Sequence, residues 1–222
     1  MVVLLFLLTV GAFIAVDLVL RRREEGARVA PEASGARLPS LAVAEPPGGL
    51  FVHSGHAWAK VDSGGGVQVG LDGFARGVLG RVDGFALPAE GSKVRAGEAA
   101  FAALQGGKRI EFVSPVEGEV CAVNAACNAD PDLGRKDPYG AGWAFSVRPS
   151  HLSRDLKRLR IGSEAAEWLR REVRSFTEFL VLHRAVPAEV GVTLADGGTH
   201  AEGVLETMDG EILQIATRRY FR

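Results

Sequence analysis

Val94 to Leu104 is an apolar, strand-compatible run, Gly106 to Arg109 reads as a reversal, and Ile110 to Val113 begins the return. Paired glycines accept the positive φ of tight hairpin turns, so the pattern predicts a hairpin that carries Lys108 at its tip, in solvent. Ser114 to Val120 (SPVEGEV) then repeats the turn, alternating segment and glycine already present in Glu90 to Ala99 (EGSKVRAGEA). Such an internal echo predicts a small flattened β-barrel built from two similar halves. After the barrel the period changes: Leu152, Leu156, Leu159, Leu169, Val173 and Phe176 fall at helix-compatible spacings, so residues 152–185 read as helical. Gly162 divides this segment, and Ser163 with Glu164 reads as the capped start of its second helix. Val190 to Leu194, Gly203 to Glu206 and Glu211 to Thr217 are short strand-like runs parted by Asp-Gly turn signals. They predict a small antiparallel meander over 186–222 that buries little by itself.

At the other end, Met1 to Leu20 is apolar with Asp17 as its one ionisable side chain, and Arg21, Arg22 and Arg23 follow it. A helix of that length reaches about 30 Å, enough for a hydrocarbon core, and the arginines favour the cytoplasmic side. The expectation is a single-pass anchor over 1–23 in the inner membrane, with the globular part in the cytoplasm. Residues 24–49, rich in Ala, Pro, Gly and Ser, read as a flexible linker.

Composition narrows the function by exclusion. With 26 basic and 27 acidic side chains the net charge is −1, which gives no electrostatic footprint for nucleic acid. Cys121 and Cys127 match neither a zinc nor a CxxC redox spacing. The histidines at 53, 56, 151, 183 and 200 are scattered, without HExxH or a carboxylate cluster, and no metal site is expected. Neither GxSxG nor a phosphate-binding loop is present, so the chain is not read as an enzyme.

A set of landmarks then gives the chain a family. His56 to Val61 (HAWAKV), Val69 to Ala75 (VGLDGFA), Gly91 to Glu98 (GSKVRAGE), Ser114 to Val120 (SPVEGEV) and Asp137 to Trp143 (DPYGAGW) resemble, in order and spacing, the H protein of the glycine cleavage system. The resemblance runs from about Phe51 to Arg171. It implies a mainly β fold with α: a barrel-sandwich hybrid of lipoyl type over 50–151, closed by helices. It also implies a carrier whose hairpin lysine bears lipoate and shuttles an aminomethyl group among the P, T and L components of glycine cleavage. The family lysine lies eight residues before the proline of Ser-Pro; counting back from Pro115 gives Gly107, with Lys108 one residue late. Reading Gln105 to Lys108 as the family's Glu-Ser-Val-Lys restores the lysine, at the cost of two compensating length changes in a tight hairpin. Two functions therefore stand at this point. One is a docking or accessory protein with a displaced or lost lipoyl site and no cofactor; the other is a genuine carrier of an aminomethyl or acyl group on lipoylated Lys108.

Overall fold

The computed structural model describes Val43, residues 45–183 and residues 203–222. Two antiparallel sheets form the barrel. β1 (Phe51–Val52), β2 (Ala57–Val61), β3 (Val67–Leu71), β5 (Lys93–Val94), β8 (Gly118–Val123), β9 (Trp143–Pro149) and β10 (Arg160–Ile161) make a seven-stranded sheet in the order β10-β1-β2-β3-β9-β8-β5. β4 (Gly84–Ala86), β6 (Ala99–Gln105) and β7 (Lys108–Val113) make a three-stranded sheet with β6 in the middle. Apolar side chains on the inner faces close the space between them. Phe101 of β6 lies 5.6 Å from Phe112 of β7 and 5.4 Å from Phe145 of β9, ring centre to ring centre, which ties one sheet to the other.

The landmark residues prove to be the barrel's fasteners. His56 takes a left-handed backbone, φ 60°, and its Nδ1 meets Asp72 Oδ2 at 2.7 Å in a fully buried pair. Asp72 Oδ1 accepts from Ala75 N at 2.8 Å, so the same carboxylate caps helix α1 (Gly73–Leu79). Trp58 is buried against Gly70, where a β-carbon would lie 2.5 Å from the indole. Its Nε1 donates to Leu71 O at 3.0 Å and to Pro138 O at 2.9 Å, drawing the Asp137–Trp143 loop onto the sheet. Within that loop Tyr139 accepts from Gly73 N through its hydroxyl at 2.9 Å; burial, aided by Asp72, pushes its phenol above the ordinary range.

Two short helices, α2 (Ala126–Ala129) and α3 (Leu133–Lys136), bridge β8 to that loop, and α4 (Leu152–Leu156) follows β9. On α4 the buried Asp155 accepts from Glu117 N at 2.8 Å, holding the Ser-Pro turn. The helix α5 (Gly162–Leu182) begins one residue before Ser163 and has no side-chain cap, so the expected Ser163 cap is not made. The backbone turn into it is supplied by Gly162, at φ +59°.

The C-terminal section differs most from expectation. Glu211 to Thr217 is not a strand: it lies within helix α6 (Gly210–Tyr220), and Gly203 to Thr207 forms turns and a bend. Val190 to Leu194 falls outside the described residues, and the predicted meander is withdrawn for the part that is described. The reason is the burial period: Leu213, Ala216 and Tyr220 are buried at three- and four-residue steps, which only a helix can present to one core. Tyr220 packs edge-on against Phe176 at 5.1 Å, and Phe221 packs on Phe112 at 5.2 Å.

The anchor predicted for residues 1–23 lies outside the described residues, as does most of the 24–49 linker. Among the described residues no helix is long and apolar enough to cross a membrane. The placement in the inner membrane is corrected accordingly.

Candidate functional site

The site to test is the β6–β7 hairpin. Its arms pair Ala103 with Ile110, Leu104 with Arg109 and Gln105 with Lys108, leaving Gly106 and Gly107 as the two-residue loop. Both have positive φ, +54° and +77°, the conformation a type I′ turn demands and glycine supplies without strain. The loop is braced from beneath. Gln105, 5% exposed, donates through Nε2 to Leu79 O and Arg81 O, each at 2.5 Å. Asp83 accepts from Gly106 N at 2.7 Å, while Asp83 N donates to Leu104 O at 2.7 Å. The tip is therefore a fixed turn, and both glycine positions face open space: a β-carbon added at either would meet no atom within 4 Å.

Lys108 stands beside that tip, partly exposed and held by the backbone of residues 206 and 208. It is the first residue of β7, half-buried, and its Nζ donates to Met208 O at 3.0 Å and to Glu206 O at 3.2 Å. Gly107 occupies the outer loop position instead. Leu104, two residues before the loop, is 37% exposed. A hollow of about 390 Å³ beside the tip is lined by Arg81, Asp83, Gln105, Lys108 and Glu206, among others. No spacing rule could have found the two carbonyls that hold Lys108, since they lie about 100 residues further along the chain and carry no side-chain signature. Gln105 and Asp83 as braces were equally silent in the sequence. Among the described residues no three His, Cys, Asp or Glu side chains are grouped to hold a metal ion.

Two packed antiparallel sheets that present a rigid two-residue hairpin define a barrel-sandwich protein of the carrier-domain class. The family model described as "Glycine cleavage H-protein" matches residues 50–172, and the chain belongs to that family. It is 35% identical over 123 residues to the probable glycine cleavage system H protein of Pyrococcus abyssi, covering 55% of this chain and 90% of that protein. Against the glycine cleavage system H protein of Teredinibacter turnerae it is 39% identical over 100 residues, covering 45% and 77%. The crystal structure of the H protein from Mycobacterium marinum aligns at 29% identity with a TM-score of 0.47, over 57% of this chain and 98% of that one. Members of the family are lipoyl carriers that work with the P, T and L components and are not catalysts themselves.

An amide-linked arm on Lys108 would need its amine released from two backbone carbonyls. The outer loop position is Gly107, which has no amine, and the Lys108 amine faces the carbonyls of Glu206 and Met208. Acylation would remove the charge and leave one of the ammonium's three N–H donors for the two carbonyls.

Proposed function

We propose that this chain is an H-protein-like docking or accessory protein, one that keeps the carrier's barrel and hairpin and works without a covalent arm. The observation that carries the reading is the position of the Lys108 amine, tied to Met208 O at 3.0 Å while glycine fills the loop. What such a protein offers a partner is shape: a rigid hairpin end with exposed Leu104 beside it, on a barrel whose fasteners are all in place. Its partners on this reading are lipoate-dependent enzymes, the P, T and L components among them, which meet the carrier's surface without receiving a group from it. Family membership supports the other reading, a carrier lipoylated at Lys108, and one experiment separates the two. The intact mass of the protein purified from its own host is expected to be unmodified, and a lipoate–protein ligase is expected to leave the purified chain untouched. Gly107→Lys returns an amine to the loop at a cost of about 1–2 kcal/mol for its left-handed backbone, and is expected to accept lipoate. A lipoyl increment mapped to Lys108 in the native protein would establish the carrier instead.

A further inference from the structure

Residues 203–208 are fastened onto the barrel beside the hairpin by contacts that do not involve Lys108. Gly203 N donates to Gly77 O at 2.9 Å, and Leu205 N donates to Val78 O at 3.1 Å, so the segment runs along the end of α1. The Glu206 carboxylate accepts from Arg81 N at 2.6 Å. Gly80 and Gly203 pack backbone to backbone: a β-carbon on Gly80 would collide with the Gly203 Cα. Beyond the segment, α6 and Phe221 are sunk into the core. These contacts set the Glu206 and Met208 carbonyls where the Lys108 ammonium meets both.

We propose that residues 203–208 form an autoinhibitory strap that holds the Lys108 ammonium, so that closure of the strap and acylation of Lys108 exclude one another. Acylation needs the neutral amine. Its nitrogen lone pair attacks the carbonyl carbon of an activated acyl ester, the new N–C bond forms, the ester oxygen leaves with the bonding pair, and the nitrogen sheds a proton to solvent. With the strap closed the nitrogen's N–H bonds are directed at the carbonyls of Glu206 and Met208, and the amine must leave both before it can attack. After acylation the product carries a single N–H and no charge, and the strap loses its hold on the hairpin. The segment lies outside the family match, which ends at residue 172, so the device is an addition to the family body. It does not rest on the docking reading: lipoate found on native Lys108 would end that reading, while the strap is tested by amine reactivity.

The full chain is treated with the N-hydroxysuccinimide ester of acetic acid, and the acetylation rate of each lysine is read by peptide mass spectrometry. Lys60, exposed on β2, is the internal reference. Lys108 is expected to react about tenfold more slowly than Lys60, a factor in keeping with the loss of one hydrogen bond to a charged group. Glu206→Ala, which removes the fastener to Arg81 N, is expected to speed Lys108 by about the same factor and leave Lys60 unchanged. Glu206→Gln keeps an acceptor for Arg81 N and is expected to restore the slow rate. Once Lys108 is acetylated, hydrogen exchange in 203–208 should quicken while that of β2 and β3 stays as it was. Equal rates at Lys108 and Lys60 in the unaltered chain would overturn the proposal. So would a Glu206→Gln that behaves as Glu206→Ala, since charge alone would then explain the change.

Discussion

Phe221→Ala tests whether the C-terminal section belongs to the barrel's core. Phe221 is fully buried, with its ring 5.2 Å from Phe112, 5.8 Å from His56 and 6.4 Å from Phe74. It thus joins the small sheet to the His56–Asp72 fastener and to α1. Truncating a buried phenylalanine typically costs about 3–5 kcal/mol in lost transfer energy and residual cavity. With three aromatic neighbours and little freedom for them to collapse, the upper half of that range is expected, about 4–5 kcal/mol. That is a large share of the roughly 5–15 kcal/mol that holds a domain folded, and corresponds to a fall in Tm of about 8–20 °C. Urea unfolding followed by circular dichroism is the assay, with the m-value checked for constancy so that the midpoint reports stability. Arg222→Ala is the control. Its ion pair with Glu111, 3.2 Å, is exposed, and its removal should cost under about 1 kcal/mol. A Phe221→Ala cost below about 1 kcal/mol would refute the reasoning and make the section a detachable satellite, as its short runs suggest from sequence.

Asp72→Ala removes the α1 cap and the partner of buried His56 together, and should cost about 2–4 kcal/mol by the same unfolding assay. Gly118→Ala drives a β-carbon into the Arg148 carbonyl across the β8–β9 pair, so a loss of about 1–3 kcal/mol is expected, whereas Gly65→Ala, with open space but φ +80°, should lose only the backbone strain of about 1–2 kcal/mol. His53 has its pKa lowered by burial first, then by Arg160 and His56. The unfolded chain therefore binds the proton first as pH falls through about 6.5. Stability should be full above that value, decline through it and level off once His53 protonates in the folded state; urea midpoints at about pH 7.5 and 5.5 should differ less in His53→Gln than in the unaltered protein.

How much of this was legible before the structure follows from the range of each interaction. The residues of the barrel's fasteners stood out as family landmarks, whereas the contacts they make, Trp58 against Gly70 across the strand and the Gly140 and Ala141 amides donating to Asp137, did not. The displacement of Lys108 could be counted from Pro115. Its partners could not, because backbone carbonyls at Glu206 and Met208 leave no mark in a side-chain pattern. The C-terminal helix departs from the expected strand for a different reason. Ile212, Ile215 and Thr217 are β-branched and sit behind an Asp-Gly turn signal, so local propensity favours a strand, and burial of Leu213, Ala216 and Tyr220 against α5 and the barrel overrides it.

The burial of Phe221 also bears on how the protein is made. At roughly 5–20 residues per second, synthesis of the chain from Ile161 to Phe221 takes roughly 3–12 s. Throughout that interval every strand of both sheets has been polymerised, yet the cleft between Phe74 and Phe112 has no ring to fill it. The nascent barrel must spend those seconds with an open apolar seam, and it is in this interval, before the finished protein exists, that a holding chaperone would find its binding surface.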